Sequence, residues 1–459
     1  MREPLPLRLY NTLSREKSDF KPAGSEVKLY VCGVTVYDYS HLGHAMSSII
    51  FEVLHRYLEY RGFKVKRVQN FTDVDDKIIR KAVQEGTSAD AVSDKYVQSF
   101  FDDMDALKIR RADLYPRVTQ EIPQIIDIIR QIEARGGAYD LNGSVYFRVL
   151  ADADYGKLSH RSLDEMLQGT RFEAEQGKEH PADFALWKAS KPGEPAWDSP
   201  WGSGRPGWHI ECSAMVLHHL GASIDIHGGG NDLIFPHHEN EMAQSETATG
   251  AEPFTRWWLH NGMLRLEGEK MSKSLGNIVQ VREAVKRHSP EAVRLWVLSG
   301  QYRSPLLYDP ESIEAQERAL RRLRGAVEFQ SPAGESAVDG APYKQRFIDA
   351  MDDDLNTPQG IAAVFDLASA IYKGRDSGAN VQAAQGTLRE ITGALGLSLD
   401  TRRVAIGAIS DAEVDGMVRQ RTDFRTQKRF SDADGVRKRL EEAGIVIKDG
   451  ASGTTWTRL

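Results

Sequence analysis

Between Val27 and Val34 apolar and β-branched residues follow one another almost without interruption, and Gly33 leads into a polar stretch containing Tyr37, Asp38 and Ser40. That pattern predicts a buried strand running into a loop. From Ala45 to Arg61 the period changes: Ile49, Ile50, Val53, Leu54, Tyr57 and Leu58 recur at helical spacing, and Gly62 stands where a helix end favours glycine. Lys64 to Asn70 returns to a strand pattern. A strand, a helix and a second strand make a crossover unit, so the chain is expected to open an α/β domain on a parallel sheet. Ligands of such sheets sit beyond the carboxyl ends of the strands, where the loop from Cys32 to His44 falls.

Further along, residues 120–205 break this pattern. They are helical at first and then rich in turns, with Gly136-Gly137, Asn142-Gly143, Pro192-Gly193 and Pro200-Trp201-Gly202, and read as an insertion. A second α/β half begins near Pro206 and contains an expected strand from Ala222 to Ile226. After Leu320 the chain reads as mainly helical, with an exposed loop from Gln330 to Pro342 and a linker from Leu397 to Ser410. The expected architecture is α/β. A parallel-sheet domain in two halves (1–119 and 206–310) surrounds the insertion (120–205), followed by a helical bundle (311–396) and a linker with a small α+β module (397–459).

At 459 residues the chain is long enough for two to four domains. Hydrophobic residues at 41% and charged residues at 27% describe a globular protein. No apolar run approaches the roughly 18 residues of a membrane span, and Met1 to Pro6 holds no signal-peptide core, so a cytoplasmic chain without membrane attachment is expected. The two cysteines, Cys32 and Cys212, do not form a disulfide framework and read as free thiols or metal ligands. The net charge of -7 excludes a global basic footprint, so any nucleic acid must be met by local patches.

Two segments carry phosphate chemistry. His41-Leu42-Gly43-His44 lies between the first strand and the first long helix, and a helix N-terminus beside a glycine favours a phosphate. Lys270-Met271-Ser272-Lys273-Ser274 sets two lysines on a polar loop, where they can neutralise charge developing on a transferred phosphoryl group. Alone, the first reads more readily as a surface histidine pair beside a turn, and the second is equally a solvated basic turn. Together, in this order, they resemble the HIGH and KMSKS motifs of class I aminoacyl-tRNA synthetases. That resemblance implies a Rossmann-type catalytic domain that adenylates an amino acid with ATP and Mg2+ and then esterifies tRNA, with His41, His44, Lys270 and Lys273 as its catalytic residues.

Thiolate, imidazole and carboxylate are all zinc ligands, and in Phe235-Pro236-His237-His238-Glu239-Asn240-Glu241 a helix starting at Pro236 puts His237 and Glu241 on one face. On that helix His238 and Glu239 are expected to point elsewhere. The stretches Tyr30 to Asp38, Gly207 to Ser213 and His227 to Glu241 resemble cysteinyl-tRNA synthetases, and the similarity runs over nearly the whole chain. It implies one Zn2+ per chain on Cys32, Cys212, His237 and Glu241, with Thr72, Trp208, His227 and Asp232 lining the cysteine and adenylate pocket. It also implies L-cysteine, ATP and cysteine tRNA as partners, a monomer, and no editing domain, because zinc distinguishes a thiol from serine's alcohol.

The same resemblance places anticodon contacts at Phe430, Asp434, Arg437 and Asp449, in a module where residues 419–439 hold eight Lys or Arg against three Asp. Leu42 stands where this family more often has Ile, Met46-Ser47 where Arg-Thr is common, and Phe430 where Trp is common. Two other readings remain: a mycothiol-type ligase joining cysteine to an amino sugar, which lacks a matching tail, and a zinc-stabilised nucleic-acid binder, which would not need the lysine loop.

Overall fold

The unbroken apolar run at the start of the chain becomes the centre of a parallel sheet. Strand β1 (Glu26–Thr35) pairs with β2 (Lys64–Thr72) on one side and β3 (Ile224–Gly230) on the other, and β4 (Thr255–Asn261) extends the sheet beyond β3. The order is therefore β4-β3-β1-β2 with every pairing parallel. Adjacent strands β1 and β3 are far apart in sequence, so their junction is the switch point at which open α/β sheets form ligand crevices. This computed structural model describes residues 6–169, 177–266, 269–270, 279–334, 336–399, 411–427, 429–442, 445–450 and 453–458. Its chain divides into two compact units, Met1–Ser398 and Leu399–Leu459.

Helix α1 (Leu42–Tyr60) connects β1 to β2 and starts three residues before the apolar periodicity does. The periodicity marks only where the helix packs; the extra residues follow from capping by His41. The strand expected to end at Ile226 continues to Gly230. Its last three residues are glycines, and a Cβ on Gly228 would lie 2.2 Å from the Phe51 ring of α1. They thin the strand so that α1 can pack on it.

Between β2 and helix α2 (Trp208–His219) lies a helix, Ile122–Ala134, burying Ile125, Ile128, Ile129 and Ile132. A four-stranded antiparallel meander follows it (Ala138–Leu141, Ser144–Phe147, Phe184–Ala189, Gly204–Pro206). Beyond β4 the described residues of the first unit are mainly helical, with Pro310–Glu328, Ala341–Asp352, Thr357–Asp376 and Gln382–Ala394 the longest segments.

These helices are fastened to the sheet domain by buried polar groups. Asp352 accepts from the Tyr57 hydroxyl at 2.7 Å and pairs with Arg61. Asp354 accepts from the Tyr10 amide, the Tyr302 hydroxyl and Arg303 Nε, each at 2.9 Å. In the acidic run Asp352-Asp353-Asp354, Asp352 and Asp354 are thus buried. On the helix Pro310–Glu328, Arg322 donates to Ser369 and Arg324 faces Glu291.

The second unit packs helices Asp411–Thr426 and Phe430–Glu442 with a hairpin, Ile445–Gly450 and Gly453–Arg458. Val414, Val418, Val436, Leu440, Ile445 and Ile447 form its core. Phe430 is 60% exposed, and Asp434 and Arg437 are exposed too. Asp449 pairs with Thr454 across the hairpin. Arg421 is buried, so one of the eight basic residues faces inward. Most of the expected linker, 400–410, lies outside the described residues.

Candidate functional site

At the carboxyl end of β1 the pairing with β2 shifts register between Val31 and Val34, and the Gly33 amide donates to Asn70 Oδ1 at 2.8 Å. Such an irregularity re-aims a side chain, and Cys32 sits within it. Helix α2 carries Cys212 on its buried face, and helix α3 (Glu239–Thr249) carries Glu241. Ser213 donates to the Glu241 carbonyl at 3.2 Å, and Gln244 donates to the His209 carbonyl at 3.0 Å and to Ser213 at 2.9 Å. These bonds hold α2 against α3. His237 lies on the wide turn Ile234–His238 that precedes α3, rather than inside a helix begun at Pro236.

Four side chains converge here. Cys32 and Cys212 stand 3.7 Å apart as free thiols, Cys32 Sγ is 3.3 Å from Glu241 Oε1, and His237 Nε2 is 2.9 Å from the same oxygen. All four residues are buried, and their donor atoms lie within 4.8 Å of one another. With zinc bond lengths of about 2.0–2.3 Å, the edges of a tetrahedron are roughly 3.3–3.8 Å, so this donor set fits a zinc ion in both chemistry and spacing.

The electrostatics agree with a cation's place. Burial pushes the Cys32 thiol well up, whereas the Cys32 hydrogen bond pulls Cys212 down to about 6 against its own burial. Burial lowers His237, but Glu241 and Cys212 reverse this and raise it to about 10. Protons here thus compensate buried negative charge, which is the role a bound cation would take over.

Around the cluster, Trp208 is 39% exposed and stacks on His237 with ring centres 4.5 Å apart. Thr72 is buried and donates to Glu211 Oε2 at 2.9 Å. His227 is fully buried, donates to Glu241 Oε2 at 2.8 Å and stacks on Trp258. Asp232 is exposed just past the carboxyl end of β3.

Other residues were not legible as part of this site. His238 and Glu239 do not point away into solvent. His238 is buried with Nε2 3.9 Å from Glu241 Oε1, and its Nδ1 meets His260 Nε2 at 2.8 Å. His260 Nδ1 in turn meets Thr12 Oγ1 at 2.7 Å. Burial lowers both imidazoles, His260 to about 3, so each carries a single proton. The order that aims an N–H at Glu241 runs from the Thr12 hydroxyl through His260 to His238. Glu239 accepts from the Ser159 amide at 2.7 Å and the Gly156 amide at 3.1 Å, tying the insertion to α3. Histidines inside otherwise apolar strands, His227 and His260, were the available signal.

In the loop that follows the carboxyl end of β1, His41 caps α1: its Nδ1 accepts from the Gly43 and His44 amides at 3.1 and 3.3 Å, and its ring stacks on His44 at 3.6 Å. A Cβ on Gly43 would come within 2.9 Å of that ring. Met46, one turn on, is buried, a place where arginine would need a partner. The segment after the lysine loop returns to this turn, with the Leu42 amide on the Val279 carbonyl at 3.0 Å and the Val281 amide on the Ser40 carbonyl at 2.9 Å. Lys270 ends a short strand paired with Leu264–Leu266; Lys273 lies outside the described residues.

Comparison with known proteins agrees with this geometry. Residues 20–318 match the family of class I tRNA synthetases (C), catalytic domain, and residues 346–400 match the DALR domain. Cysteine–tRNA ligase from Dehalococcoides mccartyi is 49% identical over 98% of this chain and 99% of its own length. The protein of the same name from Thermococcus onnurineus is 45% identical over 99% and 100%. In structure, Mycobacterium tuberculosis methionyl-tRNA synthetase shares the fold at a TM-score of 0.58 and 16% identity, over 81% of this chain and 90% of that one. No helix among the described residues is long and apolar enough to cross a membrane. Parallel sheet, switch-point cluster and near full-length similarity lead to one assignment: this chain belongs to the cysteine–tRNA ligases, within the class I aminoacyl-tRNA synthetases.

Proposed function

We propose that the chain activates L-cysteine with ATP and Mg2+, releasing pyrophosphate, and then transfers the cysteinyl group to the 3′-terminal adenosine of cysteine tRNA. The observation that carries this reading is the buried set of Cys32, Cys212, His237 and Glu241 beside an exposed Trp208, at the carboxyl ends of parallel strands. These four residues would hold one zinc ion, which when bound supplies a soft position that takes a thiolate in preference to an alcohol.

The chain's own residues do the rest. His227 donates to Glu241 Oε2 and holds that carboxylate in one orientation, with Oε1 turned toward Cys32 and His237. Trp208, Thr72 and Asp232 border the space for cysteine and its adenylate. His41 and His44, at the positive end of α1, receive the ATP phosphates, and Lys270 and Lys273 neutralise charge that builds on the departing pyrophosphate. The substrate carboxylate is itself the nucleophile, so no protein general base is needed.

ATP–pyrophosphate exchange across all amino acids, with elemental analysis of the same preparation, tests the reading. About one zinc per chain and exchange with cysteine more than about 10³-fold faster than with serine are expected. Comparable rates for the two amino acids would overturn it.

The second compact unit supplies the anticodon site in this proposal. Phe430 offers an exposed ring for stacking, Asp434 and Asp449 acceptors for base edges, and Arg437 a phosphate contact. Deleting residues 411–459 should leave cysteine-dependent exchange nearly intact and cut aminoacylation steeply, because the first unit contains the whole sheet and cluster. Full-rate charging by the truncated chain would remove the anticodon assignment.

A further inference from the structure

The hydrogen-bonded pair His238 and His260, which begins beside Glu241, ends at Thr12, and Thr12 lines a cleft of about 270 Å³. Tyr10, Arg15, Ser159, His160, Asn231 and Arg303 contribute to its walls, and among the described residues no aspartate or glutamate lines it. Arg303 is held in place, with its guanidinium 4.3 Å from the centre of the Tyr10 ring and its Nε on Asp354 at 2.9 Å. His160 Nε2 donates to the Thr12 carbonyl at 3.2 Å. Arg15 is exposed, and its side chain has no hydrogen-bond or ion-pair partner among the described residues.

Two of these wall residues have left-handed backbones, Arg15 at φ 56° and His160 at φ 55°. Glycine or asparagine takes that conformation most readily, and strained non-glycine residues concentrate where a ligand is clamped. Both positions instead carry a nitrogen-rich side chain facing one cleft. At its base is the buried imidazole of His260, already anchored on both nitrogens. Asn231 follows β3 and His260 lies on β4, so the cleft opens at the ligand-binding end of the sheet.

We propose that this cleft binds a phosphate group, with Arg15 and Arg303 as its cationic donors and Ser159 and Asn231 as neutral ones. The phosphate comes either from the backbone of an RNA or from a free nucleotide. Naming those sources rests on the synthetase reading; the anion site itself does not.

The test uses full-length protein and direct equilibrium binding of two probes, ATP and an unmodified cysteine tRNA transcript, so that it is read separately from cysteine-dependent exchange. Arg15→Gly removes the cation and relaxes the backbone, and it should not lower the melting temperature. It is expected to weaken one probe by about tenfold, with Arg15→Glu weakening it more and Arg15→Lys retaining most of the affinity. If tRNA is the probe that weakens, the slope of log affinity against log salt should also fall by about one phosphate contact. Loss confined to ATP identifies a nucleotide phosphate, and loss confined to tRNA an RNA backbone phosphate. If Arg15→Gly and Arg15→Glu leave both affinities within twofold of the parent, the cleft is not a phosphate site. Exchange activity absent from the parent protein would instead count against the synthetase reading and leave this binding result standing.

Discussion

Cys212→Ser is expected to strip the chain of zinc and to lower cysteine-dependent pyrophosphate exchange by at least about 10²-fold. That figure is a lower bound, since loss even of a residue supporting a metal ligand costs 10- to 100-fold. The oxygen of serine is shorter-reaching and harder than sulfur, and it does not ionise near neutral pH, so one corner of the cluster is lost while its shape is kept. Cys212 lies in a dense core with Ile210, Ala214, Met215 and Tyr30, and serine is close enough in size to leave that packing intact. Metal content and thermal melting should therefore separate. A variant retaining about one zinc per chain and the parent exchange rate would show that the cluster is not the metal site.

Arg294→Met is expected to cost about 3–5 kcal/mol of stability at neutral pH, because among the described residues it leaves the buried Glu52 carboxylate with Arg56 as its one ion-pair partner, beside the Arg110 amide at 3.4 Å. Both Arg294 and Glu52 are essentially without solvent exposure, at 1% and 0%. Burial raises the Glu52 carboxyl, and Arg294 and Arg56 more than reverse this, holding it below its ordinary value of 4.5. In the parent the pair's contribution is therefore complete above about pH 4.5 and is lost as pH falls through the lower folded value. In the variant the stranded carboxylate can take up a proton, so the deficit should narrow as the pH is lowered. Denaturant unfolding of parent and variant at several pH values measures this. A deficit that stayed below 1 kcal/mol at neutral pH would mean that Arg56 alone suffices.

Much of the chemistry was legible without coordinates because it is local. His41, Gly43 and His44 are a cap and its helix start, and their geometry depends on four consecutive residues. The alternation of apolar runs marked β1, α1 and β2, since burial on both faces of a parallel strand leaves an uninterrupted apolar signature. Resemblance then supplied Cys32, Cys212, His237 and Glu241 as a set, although no spacing rule joins Cys32 to a thiol 180 positions away.

The order of apolar and polar residues by itself determined the α/β class, the interrupted sheet domain and the helical continuation, because each depends on period and turn chemistry within a short window. Only the tertiary structure decided how polar groups are paired. Asp352 and Asp354 look solvated in sequence yet are buried against Tyr57, Arg61, Tyr10, Tyr302 and Arg303, and His238, expected to point away from the cluster, forms with His260 a buried chain toward Glu241. A charged or titratable side chain can be buried only where distant partners meet it, and those partners are brought together by packing of the whole unit, which no local pattern encodes.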